Sequence, residues 1–257
     1  MTLDLDTIYL GNCLEVMKDI PNGSVDMILC DLPYGTTACK WDTIIPFEPL
    51  WEQYKRIIKD NGAIVLFGSE PFSSKLRMSN MNMYGYDWIW EKDQGSNFFM
   101  ANKQPLKNYE TVSVFYKHQV SYTPQMIPVD KTWVKNDTGN NIIQHLNVAE
   151  KKQNRMSKGC VRYPKAIIKF NRIRDGLHPT QKPVALLEYL IRTYTNEGDM
   201  VLDNCMGSGS TCVAAINTNR HYIGIEKEQR YFDIAQERIR QTKGQLTLSS
   251  ISPEVTG

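Results

Sequence analysis

No apolar run in the 257-residue sequence approaches the ~18 residues that a bilayer span needs, so a membrane-spanning protein is not expected. The opening MTLDLDTIYL has no basic stretch followed by an apolar one. A secretory signal is therefore not expected, and the cytoplasm is the expected location. None of the six cysteines (13, 30, 39, 160, 205 and 212) pairs as CxxC, and none of the four histidines stands at zinc-finger spacing. That pattern argues against a structural zinc, and no metal is expected. A cytosolic chain of this length builds its core without disulfides, so free thiols are expected. Internal repeats and low-complexity blocks are also missing. What remains is an ordinary globular balance, 41% apolar and 23% charged, with room for one large domain or a core plus an insert.

The formal net charge is only +2, but it is unevenly spread. Residues 118–174 hold eleven Lys/Arg against three acids, a segment of +8. The remainder holds 19 basic and 25 acidic residues, or −6. A basic middle in an acidic frame suggests a polyanion-binding insert. The alternative is a Lys-rich solvated surface.

Strand and helix patterns alternate along the first third. Residues 26–30 form a short apolar run ending at Asp31, and residues 46–59 carry helical spacing that Asn61-Gly62 is expected to close. Residues 63–67 read as a buried strand, and 88–90 and 111–116 as two more. Trp88, Trp90, Phe98 and Phe99 are expected in the core. After the polar stretch the rhythm resumes: a helix over 183–195, a strand over 200–203, a helix over 211–219, a strand over 222–226 and a helix over 229–242. From Gly244 onward a flexible Ser/Thr-rich tail is expected. This rhythm predicts a doubly wound α/β fold with a mostly parallel sheet.

The densest local unit is VLDNCMGSGSTCVAA, residues 201–215, followed by YIGIE, residues 222–226. A strand enters a glycine turn and then a helix, and a second strand ends in Glu226. Gly207 and Gly209 permit unusual φ and close backbone approach, and a helix N-terminus offers free N–H groups to an anion. Glu226 stands where a ribose diol would be gripped. The third glycine of the dinucleotide fingerprint is missing. A single carboxylate, such as the methionine end of S-adenosylmethionine, suits the shorter turn better than a pyrophosphate. A tight turn with a strand-end acid and no ligand is the other reading.

Asp31-Leu32-Pro33-Tyr34 follows the strand at 26–30, at the end where open α/β sheets place their chemistry. Methylating an exocyclic amino group requires acceptors for both N–H bonds, so that the lone pair turns from the ring to the methyl donor. The Asp31 side chain and the Leu32 carbonyl can supply them, Pro33 can lock the turn and Tyr34 can stack on the base. Asp31 need not be a strong base, because the amine becomes acidic only after methylation. A strand followed by a Pro-containing turn, without catalysis, is the plainer alternative.

Taken together, these units resemble the amino-methylating (N6-adenine/N4-cytosine) DNA methyltransferases of the β arrangement. DLPY stands at that family's (D/N/S)PP(Y/F/W) motif and DNCMGSGST at its FxGxG motif. Residues 8–14 are similar to its GD segment, 108–110 to the segment before its insert, and HPTQKP at 178–183 to its HPTxKP motif. Five motifs stand in the family's circularly permuted order. The resemblance covers most of residues 8–116 and 176–240. The sequence departs from the family where Asn12 replaces an Asp beside the cofactor adenine, Leu32 replaces the first Pro, and Cys205 replaces an aromatic.

The resemblance implies a seven-stranded S-adenosylmethionine-dependent fold with a catalytic half at 1–116, a target-recognition insert at 117–175 and a cofactor half at 176–243. It implies methyl transfer from S-adenosylmethionine to adenine N6 in double-stranded DNA, with the base flipped out of the duplex. Asp31, Leu32, Pro33 and Tyr34 are the expected catalytic residues. Asn12, Asp31, Thr180, Lys182, Asp203, Cys205, Gly207, Gly209 and Glu226 are expected to bind the cofactor. Lys182 and Thr180 also read as a surface lysine and a helix cap. Trp41 reads as closing over the site or as packing. Lys151, Lys152, Arg155 and Lys158 are expected on DNA phosphates. An N4-cytosine enzyme, a DNA-binding module with a decayed site, and an enzyme acting on RNA or protein are the alternatives. A homodimer and a cognate restriction enzyme are open as partners.

Overall fold

The structure, a computed structural model, describes residues 4–36, 42–128, 161–173 and 181–251, the last six by backbone alone. Packing divides it into residues 1–123 with 166–257, and a smaller unit at 124–165. In the smaller unit, β6 (Ile127–Pro128) pairs antiparallel with β7 (Val161–Arg162).

The large unit is built on one eight-stranded sheet. Its strands are β1 (Thr7–Leu10), β2 (Val25–Cys30), β3 (Ile58–Gly68), β4 (Tyr84–Ser96), β5 (Lys107–Phe115), β8 (Ile167–Lys169), β9 (Met200–Asp203) and β10 (His221–Glu226). Their order is β1-β10-β9-β2-β3-β5-β4-β8. Only β5 runs against the rest. The expected seven strands become eight because Ile167–Lys169, placed with the insert by its basic surroundings, pairs parallel with β4. Ile168 is buried there, and that burial decides its place.

The helices are α1 (Cys13–Val16), α2 (Phe47–Ile57), α3 (Phe72–Ser79), α4 (Val184–Tyr194), α5 (Ser210–Asn217) and α6 (Gln229–Ile251). They cover both faces, so the central strands read as unbroken apolar runs. Met27 and Leu29 of β2, with Ala63, Val65 and Phe67 of β3, face α4, α5 and α6. Ile28 and Cys30, with Ile64 and Leu66, face Leu50, Trp51, Tyr54 and Ile57 of α2 and Phe72 and Leu76 of α3. The alternation is the strand period of two, expressed on two buried sides.

Three local expectations change. Helix α2 ends at Ile57, since Ile58 is already extended. Asn61-Gly62 instead lies inside β3, where the register with β2 shifts and a Cβ at Gly62 would meet the Asp26 carbonyl oxygen at 2.8 Å. Helix α6 does not stop near Thr242 but runs through Gly244 to Ile251, a stretch with no proline to end it. Trp88 and Trp90 are buried, but Phe98 and Phe99 are 67% and 86% exposed, because they stand on the connection between β4 and β5 beyond the sheet.

Strands β2 and β9 pair only through Met27–Val201 and Ile28–Leu202. From β2 the chain continues to β3 on one side, and from β9 to β10 on the other. This is a topological switch point, where a crevice opens beyond the carboxyl ends of the two strands. The glycine turn after β9 faces it. Gly209, at φ +77, begins α5, and a Cβ there would meet Ala235 Cβ of α6 at 2.9 Å. Gly209→Ala should cost about 1–2 kcal/mol from the left-handed backbone, plus the clash. Urea unfolding checks this, and unchanged stability would show that the turn relaxes freely.

Candidate active site

A cavity of 330 Å³ fills the crevice. It gathers Asn12, Asp31, Leu32, Pro33, Tyr34, Lys182, Asp203, Cys205, Gly207 and Glu226, all expected from the sequence. Gly209 serves a different role, packing behind the turn against α6. Thr180, Trp41, Lys151, Lys152, Arg155 and Lys158 lie outside the described residues, as do Cys39 and Cys160.

The side of the cavity beyond β2 is ionic. Asp31 Oδ1 accepts the Tyr34 hydroxyl at 2.5 Å, and Oδ2 accepts Lys182 Nζ at 2.5 Å. Lys182, expected from the sequence as either ligand-binding or surface-exposed, is buried. Its ammonium lies 3.3 Å from Glu110 Oε2 as an ion pair outside hydrogen-bond geometry, and 5.2 Å over the Phe67 ring. Glu110 Oε1 in turn accepts Lys92 at 2.5 Å. Burial works against the Lys182 charge, but Asp31 and Glu110 outweigh it and hold the ammonium above the usual lysine range. Burial and the Glu110 charge keep the Asp31 carboxyl above its ordinary value, although Lys182 pulls it down. Burial also raises Glu110, but Lys182 and Lys92 bring it below the usual carboxylate range.

Tyr34 has one ring face on Phe72, at 4.9 Å between centroids. Leu32, in place of the family's Pro, is a core residue packed with the α2 and α3 side of the sheet. Only its backbone serves the site. Asp42 accepts the Gly35 and Thr36 N–H groups at 2.8 and 2.9 Å and so fixes the chain just after the tetrapeptide.

The other side is a set of hydrogen bonds to backbone. Glu226 Oε2 accepts the Gly207 N–H and Oε1 the Glu228 N–H, each at 2.9 Å. The Gly207 amide is therefore spent on orienting Glu226. Arg238 of α6 holds the same turn through Ser208 Oγ at 2.9 Å and Ser210 Oγ at 3.1 Å. Asn12 Oδ1 caps α1 by accepting the Leu14 N–H at 2.9 Å, which leaves its amide NH₂ for a ligand. Asp203 Oδ1 accepts the Cys205 N–H at 3.1 Å. The Cys205 thiol meets those of Cys13 and Cys30, and burial pushes Cys30 up to about 12. Cys13, Cys30, Cys205 and Cys212 are free thiols.

Glu110, Asp42 and Arg238 were not singled out from the sequence. Glu110 belonged to a recognised segment, but nothing in its spacing showed that it faces a lysine 72 positions away.

Residues 25–237 match the family model described as DNA methylase, N6_N4_Mtase. The chain belongs to that family. This methylase is 31% identical over 267 residues to the type II methyltransferase M.HinfI of Haemophilus influenzae, covering 93% of this chain and 69% of the relative. It is 30% identical over 251 residues to the DNA adenine methyltransferase YhdJ of Escherichia coli, covering 91% and 82%. The M1.HpyAVI–SAM complex superposes with TM-score 0.61 at 24% identity over 90% of this methylase and 98% of that chain. The cytosine-N4-specific PvuII DNA methyltransferase does so at 0.64 and 16%, over 95% and 93%. Both superpositions show the shared fold. No described helix is long and apolar enough to cross a membrane.

Burial pushes the Asp203 carboxyl from 3.8 up to about 6. The folded methylase therefore holds this proton longer than the unfolded chain, and ionising it costs stability as pH rises from about 4 to 6. Asp203→Asn removes that cost. The melting temperature of the variant relative to wild type should rise between pH 4 and pH 7, read by calorimetry. A constant difference across that range would contradict the assignment.

Proposed function

We propose that this methylase transfers a methyl group from S-adenosylmethionine to adenine N6 in double-stranded DNA, with the base flipped into the crevice. The observation that carries the reading is the convergence of Asp31, at the end of β2, with Glu226 and the glycine turn, beyond β10 and β9, on one cavity. Its volume lies in the range of small-molecule sites. The donor set fits the cofactor. Glu226 retains lone pairs that would accept a ribose diol, the Asn12 NH₂ would donate to an adenine edge, and Lys182, although already paired with Asp31 and Glu110, would be the cation nearest a methionine carboxylate. When bound, S-adenosylmethionine supplies an electrophilic methyl on a positively charged sulfur.

The protein's part is to present the amine. Each Asp31 oxygen carries one hydrogen bond and keeps a lone pair, so the carboxylate accepts one N–H while the Leu32 carbonyl accepts the other. Both acceptors turn the nitrogen lone pair out of conjugation and toward the methyl donor. Positioning then supplies most of the rate. Tyr34, held on Phe72 by one face, is the aromatic beside the amine on which the flipped base would stack. The proton released by the methylated amine has the Asp31 carboxylate beside it.

A flipped base comes from a duplex held by its phosphates, the task proposed for Lys151, Lys152, Arg155 and Lys158 of the basic segment. Adenine is favoured by the Asp-first tetrapeptide and by the likeness to YhdJ, a DNA adenine methyltransferase. A cytoplasmic location, a catalytic half at 1–116, an insert at 117–175 and a cofactor half at 176–243 belong to the same reading. A homodimer and a cognate restriction enzyme extend it.

Asp31→Ala should lower single-turnover methyl transfer at saturating DNA by about 10²–10³, the usual loss for one contact specific to the transition state. DNA affinity should persist, since its phosphate contacts lie elsewhere. Transfer within a few-fold of wild type would remove Asp31 from the chemistry.

A further inference from the structure

The connection between β4 and β5 displays aromatic rings to solvent. Phe98 and Phe99 are 67% and 86% exposed, and Leu106 and Tyr109 on the same hairpin are exposed as well. The display is built. Asn97 turns the chain through φ +64, and a 3₁₀ turn follows at Phe98–Met100. The turn is closed by Met100 N–H to Asn97 O at 2.8 Å and Ala101 N–H to Phe98 O at 3.1 Å. Lys103 and Gln104 N–H groups both donate to Met100 O, at 2.8 and 3.0 Å. Across the hairpin, a Cβ at Gly95 would meet Leu106 Cβ at 2.7 Å, so the two arms lie in contact.

The hairpin stands at the catalytic edge. Strand β5 runs against β3, so its start lies beside the carboxyl end of β3, with Gly68 opposite Thr111. Glu110, next to Thr111, lines the cavity. Lys107 pairs with Ser96 three residues earlier, about 10 Å further out at ~3.3 Å per residue, and the aromatic turn lies beyond it. Residues 94–109 contain two lysines and no acid, a charge suited to DNA.

We infer that Phe98 and Phe99 are a wedge that enters the DNA base stack beside the target and holds open the gap left by the flipped base. Exposed apolar side chains that unstack base steps are an established way of deforming a duplex. Here they stand on a closed turn with a basic flank, on the hairpin whose strand β5 carries Glu110 into the cavity that, in the proposed function, receives an extrahelical base. The wedge rests on the reading that the chain flips a DNA base. It adds positioning residues that touch neither the cofactor nor the amine.

The test uses the full chain and a duplex containing its methylated sequence, either fully paired or with a mismatch opposite the target base. Phe98→Ala/Phe99→Ala should keep the wild-type melting temperature and S-adenosylmethionine affinity, since both rings are exposed. On the paired duplex its single-turnover rate should fall about 10- to 100-fold, the scale of lost base–aromatic stacking. The mismatched duplex should recover most of that loss, because its target base costs less to extrude. Phe98→Leu/Phe99→Leu should fall between, keeping apolar bulk without the ring. Equal loss on both duplexes, or no loss on either, overturns the wedge; the latter would leave the hairpin to a protein partner or a second copy. A wild-type chain that methylates neither duplex would overturn the base-flipping reading itself, whereas wild-type activity with unaffected variants overturns the wedge alone.

Discussion

An ammonium buried between two carboxylates is the constraint on which the active site depends. Asp31 and Glu110 hold Lys182 charged inside an apolar fold, and Lys182 in turn favours the ionised form of both carboxylates, with Lys92 adding to it at Glu110. Removing one partner of a buried ion pair typically costs about 3–5 kcal/mol, because the other charge is stranded. The cluster therefore ties three separate stretches of chain into one rigid wall: the end of β2, the start of β5 and the entry to α4. With Lys92 included, two positive and two negative groups balance on that wall.

Sheet topology decides where the wall stands. The chain leaves β2 and β9 in opposite directions, so their carboxyl ends border a crevice. One border carries the Asp31–Lys182–Glu110 charges, which the proposed function assigns to the amine. The other carries Glu226, fixed by backbone N–H groups of the glycine turn and of the chain after β10. In the proposed reading the cofactor would lie along the second border, with its methyl directed toward the first. The strained glycine and the Arg238 clamp maintain the turn, the first by packing against α6 and the second by hydrogen bonds from it.

Much of this was legible in the residues. The βα alternation and the two strand-end motifs needed only short-range patterns, and they located the crevice. Glu110 and Arg238 were not legible, because their roles arise from contacts across 72 and about 30 positions of sequence. The basic composition around Ile167–Lys169 concealed an edge strand, since three residues beside an existing sheet need little periodicity of their own. Asn61-Gly62 read as a helix stop because that pair fits a helix end, yet close backbone approach inside β3 requires a glycine there equally well. Phe98 and Phe99 read as core from their type alone. Their exposure is a property of a hairpin tip, which composition does not reveal.

The central claim is that this cavity methylates adenine N6 in DNA. Modified-base sequencing of DNA from cells expressing the chain tests it most directly. The account predicts N6-methyladenine at one recurring short sequence, absent when Asp31→Ala replaces the wild-type chain. N4-methylcytosine in its place would contradict the choice of base, and DNA without any added methyl group would contradict the account as a whole.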